Sequence, residues 1–138
     1  MHVHHEDLPT RVGIIMRRLF AGEYQLLFKA GNESKIWSIP EDMMNVNETP
    51  NDAFWRILKT FTVNWERETV VFEKVGDVKA WPLKTRNTPL YRLYLVEPLP
   101  LISSHQCSFC LSWLGDRELK NTGVELSSIV PLLTTKYL

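Results

Sequence analysis

The chain has 138 residues, of which 44% are hydrophobic and 23% charged, and its 16 basic and 16 acidic side chains give a formal net charge of zero. This length suits one domain with a buried core, and the composition excludes a largely disordered chain. The charge balance excludes binding to nucleic acid or membrane that is driven by overall attraction, and no run reaches the roughly 18 apolar residues of a membrane span. Arg17 with Arg18, and Lys84 with Arg86, are the densest positions for a local basic patch.

Two cysteines, Cys107 and Cys110, are too few for a disulfide framework, so we expect an intracellular protein, either cytoplasmic or nuclear. On an alternating strand they point to opposite faces, which favours a core role for Cys107 over a zinc site shared with His105. The N-terminus lacks the apolar segment of a secretory signal. We expect residues 1–10 to be a flexible segment and residues 11–138 to form a single domain.

The first half of the chain is rich in strand signals. Apolar β-type runs over 12–20 and 24–30 flank Ala21-Gly22-Glu23 and predict a β-hairpin. A short strand over 36–39 is expected to follow, and residues 40–49 are expected to form a long loop.

A helix is predicted over 50–62. Thr49 is a good N-cap, and Pro50 suits the first helical position. Apolar residues recur at helical spacing and predict one buried face. These residues are Phe54, Ile57, Leu58 and Phe61.

The second half returns to strands and ends in a helix. The predicted elements are a hairpin of strands 70–75 and 78–81 around Gly76-Asp77, a loop over 82–89, strands over 90–96 and 105–114, a helical turn over 116–121, and a helix over 125–137. Strands on both sides of a central helix, followed by a C-terminal helix, indicate an α/β fold whose mixed sheet is covered by helices on both faces.

Residues 37–65 read WSIPEDMMNVNETPNDAFWRILKTFTVNW and resemble the motif of the Nudix hydrolase superfamily. That motif is G-x5-E-x7-R-E-U-x-E-E-x-G-U, in which U is bulky and aliphatic. The matching positions are Trp37, Ile39 and Pro40 before the motif, and Glu48, Arg56 and Leu58 within it. The resemblance implies a Nudix-like α/β/α sandwich with a mixed β-sheet. It also implies that Glu48 and Arg56 pair to hold the loop onto the helix.

The sequence departs from the motif where the family carries three metal-binding carboxylates. Ile57, Thr60 and Phe61 stand at those positions, and Glu41 and Asp42 replace two glycines. Members of the family use Mg²⁺ or Mn²⁺ to hydrolyse a nucleoside diphosphate linked to another group. Because Mg²⁺ requires oxygen ligands, an alkyl group, a hydroxyl and a phenyl ring do not replace the carboxylates. We therefore expect no catalytic residue and no cofactor.

The leading hypothesis is a catalytically inactive Nudix-like domain, a pseudoenzyme that serves as a binding or scaffolding module in a larger complex. A protein partner is expected, RNA or a nucleotide stays open, a membrane is not expected, and a homodimer is consistent with the resemblance. The candidate binding residues are Glu48, Arg56, Trp55, Trp37 and Arg17. Trp55 lies off the apolar stripe, so base stacking, a protein contact and packing at the edge of the core all stay open for it.

Two alternatives remain. A divergent Nudix hydrolase acting on a nucleotide diphosphate derivative or an mRNA cap would need Mg²⁺, held instead by Glu41, Asp42 and Glu48. A domain unrelated to the family would explain the same helix as an ordinary amphipathic one.

Overall fold

The computed structural model describes residues 9–31, 36–63, 67–79, 90–97, 101–102, 109–121, 125–127 and 129–138. The strands in this part of the chain are β1 (Arg11–Phe20), β2 (Glu23–Gly31), β3 (Ile36–Trp37), β4 (Glu41–Met43), β5 (Thr62–Val63), β6 (Phe72–Lys79), β7 (Leu90–Val96), β8 (Leu101–Ile102), β9 (Phe109–Leu114) and β10 (Glu125–Leu126). The helices are α1 (Pro50–Phe61), α2 (Asp116–Asn121) and α3 (Val130–Tyr137), and a 3₁₀ turn spans Arg67–Thr69.

A six-stranded mixed sheet forms the centre of the fold. Its order is β6-β7-β1-β2-β9, and β4 also pairs with β1. β1 runs parallel to β7 and antiparallel to both β2 and β4. Its N-terminal end pairs with β4, whereas its C-terminal end pairs with β2. β1 therefore places β4, and the loop that follows it, against the middle of the sheet.

Helices cover both faces of this sheet, as predicted. Side chains of β1 alternate between the faces, as strand geometry requires. Those packed with α1 are Val12, Ile14 and Met16. Ile15 points the other way and packs with α3, through Val130, Leu133 and Tyr137. The α/β sandwich expected from the sequence is confirmed.

Helix α1 matches its sequence prediction closely. Thr49 is the N-cap: its hydroxyl accepts a hydrogen bond from the Asp52 amide at 3.1 Å, and the Asp52 carboxylate accepts one from the Thr49 amide at 3.2 Å. This reciprocal capping box fixes the start of the helix. The helix ends at Phe61 because Thr62 is already extended and enters β5.

The predicted hairpin over 70–81 is wrong. Phe72–Lys79 forms one strand, paired with β7 along its length, with a register shift between Lys74 and Gly76. Gly76 has a φ of 143°, which a glycine adopts without steric cost. The glycine therefore accommodates a bulge inside a strand instead of a turn between two strands.

Two boundaries also differ from the predictions. Residues 40–49 are not all loop, because Glu41–Met43 pairs with β1. The final helix begins at Val130, since Glu125–Leu126 pairs with β3 as a short strand.

Two other predictions are confirmed. The first hairpin turns at Ala21-Gly22, and α2 occupies 116–121.

The described ranges contain no helix with the length and hydrophobicity needed to cross a membrane. Three predictions concern residues outside the described ranges: most of the flexible segment predicted over 1–10, the loop predicted over 82–89 with its basic pair, and the start of the strand predicted over 105–114.

Candidate functional site

The loop between β4 and α1 is held against the helix by Arg56. Its guanidinium donates to both Glu48 carboxylate oxygens, at 2.8 and 2.9 Å, and to the Asp42 carboxylate at 2.8 Å. It also donates to the Met43 carbonyl at 2.7 Å. Glu48 in turn accepts a bond from the Asn45 amide at 3.0 Å. The Glu48–Arg56 pair expected from the sequence is present, and it ties both ends of the loop to one side chain.

Burial strengthens this pair. The Glu48 side chain is 11% exposed and that of Arg56 30%. The hydrogen bond from Arg56 lowers the pKa of Glu48 below its ordinary value, and the same bond raises the pKa of Arg56. Burial alone would raise the pKa of Asp42, but hydrogen bonds from Arg56 and the Met43 amide outweigh it and lower that pKa. Both acids therefore stay ionised at neutral pH.

Glu41 lies in a second polar cluster, on the adjoining part of the sheet. Its carboxylate accepts hydrogen bonds from Arg11 at 3.0 Å, from the Tyr91 hydroxyl at 2.8 Å and from the Ser38 hydroxyl at 2.8 Å. Burial, and then the Glu41 charge, raise the pKa of Tyr91. Three donors therefore surround this carboxylate and give it a structural role.

Positions 57, 60 and 61 of α1 are those at which the family motif has carboxylates. Their side chains here offer few oxygen ligands to a cation. Ile57 and Phe61 are 2% and 1% exposed and belong to the core on the α1 side of the sheet. Thr60 is exposed, and its hydroxyl donates to the Ile57 carbonyl at 2.7 Å. Two of these three side chains therefore stabilise the fold by apolar burial.

The acidic side chains in the described part of the chain do not form a metal site. Among the described residues, no three His, Cys, Asp or Glu side chains are grouped so that they could hold a metal ion. The alternative ligands considered above, Glu41, Asp42 and Glu48, each form an ion pair with an arginine. A divalent cation at any of them would have to compete with that guanidinium.

No protein-family model matches the sequence, and no curated protein matches it. Solved structures do match. The NUDIX domain of Shewanella oneidensis NrtR, complexed with ADP ribose, is 12% identical over 95% of this chain and 86% of that chain, with a TM-score of 0.69. The C-terminal domain of mouse MUTYH, in complex with human PCNA, is 15% identical over 92% and 85%, with a TM-score of 0.64. The Ap4A hydrolase of C. elegans is 14% identical over 93% and 92%, with a TM-score of 0.57.

The chain has the Nudix fold. The fold expected from the motif over 37–65 is confirmed, and the motif positions can be placed on it. Glu48 and Arg56 keep the loop-to-helix pair of the motif. The three carboxylate positions of the motif fall on α1, where two of the side chains are buried.

The other candidate residues lie apart from the loop between β4 and α1. Arg17 is near the opposite end of β1 from Glu41, where it donates to Glu97 at 2.5 Å and lies over the ring of Tyr24 at 4.4 Å. Trp37 is half-buried in β3 and packs against the core on the α3 side. The structure therefore brings together only Glu48 and Arg56, with Trp55 next to them on the helix.

Trp55 lies at the edge of the core. It is half-buried, with its ring edge-on to Phe54 at 4.9 Å and to Phe72 at 5.3 Å. The Arg67 guanidinium lies 4.9 Å from the ring centre. Packing at the edge of the core therefore accounts for much of its surface.

The sequence did not reveal two features of this region. Arg11 and Tyr91 meet at Glu41 because β1 and β7 pair in parallel with these two residues in register. Arg67 reaches Trp55 because β5 and a short turn return the chain to the helix. The local sequence carries a signal for neither, since both depend on contacts between distant segments.

Glu48→Gln is expected to lower the free energy of unfolding by about 1 kcal/mol at neutral pH, a figure discounted for the solvent exposure of Arg56. Arg56 lowers the pKa of Glu48 in the folded state, relative to about 4.3 in the unfolded chain. The stabilisation is therefore complete above that unfolded value and is lost as the pH falls through the folded one. Urea unfolding from neutral to acid pH should show a shallower acid dependence in the variant.

The matched control is Glu23→Gln, which removes the exposed pair of Glu23 with Arg117. It should change the free energy of unfolding by less than about 0.5 kcal/mol at any pH. Equal effects of the two substitutions would show that Glu48 behaves as an ordinary surface acid.

Proposed function

We propose that this chain is a catalytically inactive Nudix-fold domain that acts as a binding or scaffolding module for a protein or RNA partner. One observation carries the proposal. At the helix positions where the family motif has three carboxylates, the chain has the buried apolar side chains Ile57 and Phe61 and the exposed Thr60.

The chemistry of the family motif supports this proposal. Phosphoryl transfer depends on positioning and on neutralising charge that develops on the phosphate, and Mg²⁺ needs several oxygen ligands to do so. Asp42 at the end of β4 and Glu48 in the loop that follows are both bound by Arg56. An arginine hydrogen-bonded to both carboxylates holds the loop in shape, and a cation would have to displace its guanidinium to reach their oxygens.

The similar structures also support a binding role. One is a NUDIX domain complexed with ADP ribose, and another is a domain in complex with the protein PCNA. A fold is a scaffold on which different sites arise, so a Nudix fold without its metal ligands can keep a binding surface. With no net charge on the chain, a protein interface suits it better than an extended nucleic-acid track.

Isothermal titration with MgCl₂ and with MnCl₂ is expected to give no saturable binding. Incubation with Ap4A, ADP ribose and capped RNA in either metal is expected to give no product above the rate without protein. The C. elegans Ap4A hydrolase, which has a similar fold, serves as the active control.

The variant Glu48→Gln decides between the two functions. Saturable metal binding that Glu48→Gln abolishes, together with turnover of any of these substrates, would show a divergent hydrolase whose ligands have moved to the loop. Absence of binding and of turnover in both proteins supports the inactive domain.

A further inference from the structure

A pocket of about 400 Å³ lies on the outer face of α1. The described residues that line it are Asp52, Trp55, Arg56, Lys59 and Arg67. Those on the helix are three or four residues apart, so they share one face, and the buried stripe of α1 lies on another. Arg67 comes from the 3₁₀ turn and closes one side. This surface is separate from helix positions 57 and 61, which point into the core.

The floor of the pocket is rigid and aromatic. Phe54 and Phe72 stack at 4.6 Å inside the core, and Trp55 packs edge-on against both. Because the indole is held on its inner side, its outer part is presented to the pocket in one orientation. The Arg67 guanidinium lies over this ring at 4.9 Å, which restricts that arginine as well.

The charges around the ring are unevenly compensated. Within the described ranges, neither Lys59 nor Arg67 forms an ion pair, whereas Arg56 is paired with two carboxylates. Asp52 lies at the rim, where its carboxylate caps the helix by accepting from the Thr49 amide. The pocket thus presents, beside the indole, two cations that form no ion pair with a described residue, and Asp52 is the acid at its rim.

We propose that this pocket docks a short acidic segment of a protein partner, with carboxylates on Lys59 and Arg67 and an apolar side chain against Trp55. The inference rests on the proposed binding function and names its partner. Tryptophan and arginine are the residues that most often carry the binding energy of protein interfaces. A guanidinium stacked on a ring keeps its in-plane N–H groups for a carboxylate, which it binds in bidentate fashion.

The same charges fit nucleic acid less well. Proteins that bind nucleic acid strongly neutralise roughly 6–10 phosphates. Among the described residues, the pocket offers only Lys59 and Arg67 outside ion pairs, and the chain as a whole has no net positive charge. Two carboxylates on a peptide match two cations, whereas a phosphate backbone of that length would need more cations than these two.

The test uses the full chain, isotopically labelled, and a synthetic peptide in which Glu residues flank a central Phe. Amide NMR signals of Trp55, Lys59 and Arg67 should shift on addition of the peptide, and a peptide with Gln in place of Glu should leave them unchanged. Lys59→Glu and Arg67→Glu should each weaken binding at least about tenfold. Arg67→Lys should have an intermediate effect, because it keeps the charge and loses the planar fork.

Lys136→Glu is the matched control, since it reverses another exposed lysine, on α3 across the sheet, and should leave peptide binding unchanged. The circular dichroism of every variant should match that of the parent chain. Absence of shifts at the pocket, equal weakening by Lys136→Glu, or stronger shifts with an oligouridine RNA would each reject the acidic-peptide site. The metal titration and turnover assays would still decide separately whether the domain is inactive.

Discussion

Replacing Ile57 and Phe61 together by glutamate is expected to unfold the domain. The exchange restores two carboxylates of the family motif, but both side chains lie in the α1-side core and are 2% and 1% exposed. An unpaired carboxylate at such a position costs several kcal/mol, either as a buried charge or by forced protonation. Because a domain of this kind is stable by only about 5–15 kcal/mol, two such groups remove most or all of that stability.

The third position of the motif supplies the control. Thr60 is exposed on the same helix, so Thr60→Glu should change the free energy of unfolding by no more than about 0.5 kcal/mol. Urea unfolding followed by circular dichroism, with an amide NMR spectrum of each variant, compares the two. A double variant that folds normally and binds Mg²⁺ would show that this helix face is open to a metal, and the inactive-domain proposal would fail.

Phe54→Ala is expected to lower the free energy of unfolding by about 3–5 kcal/mol, because replacing a buried phenylalanine by alanine leaves a large cavity. The Phe54 ring is fully buried and stacks on Phe72 at 4.6 Å, with Tyr94 at 4.9 Å and Trp55 at 4.9 Å. It therefore joins α1 to β6 and β7, and its loss leaves three rings without their common neighbour. Urea unfolding at neutral pH measures the effect.

Lys59→Ala, on the exposed face of the same helix, is the control and should change the stability by less than about 0.5 kcal/mol. Phe54→Leu should lie between the two, since leucine fills part of the cavity. A loss below about 1 kcal/mol for Phe54→Ala would mean that the core closes around the gap or that α1 contributes little to the packing.

The buried helix face and the docking pocket have a common structural origin. Ile57 and Phe61 bury one side of α1, and this fixes which residues its outer side presents. Trp55 belongs partly to both sides, because its ring packs on the core while lining the pocket. The burial of Ile57 and Phe61 and the proposed docking pocket are thus compatible within a single helix.

The elements that depend on neighbouring residues were predictable from the sequence alone. Thr49 and Pro50 predicted where α1 begins. The spacing of apolar residues predicted its C-terminal end to within one residue. Gly22 and its neighbours placed the first hairpin. The resemblance of residues 37–65 to the Nudix motif implied the Glu48–Arg56 ion pair that the structure contains. Capping, turn geometry and helical periodicity act over a few residues, so one sequence is enough to predict them.

The elements that need a distant partner became apparent only in the folded chain. Gly76 is compatible with a turn or a bulge, and pairing with β7 selects the bulge. Glu125–Leu126 is a strand because β3 lies beside it. The cluster of Arg11, Tyr91 and Glu41 exists because two strands from opposite halves of the chain run in parallel. Such contacts join residues far apart in the chain, and their energies depend on which surfaces the folded sheet brings together, which local propensity does not encode.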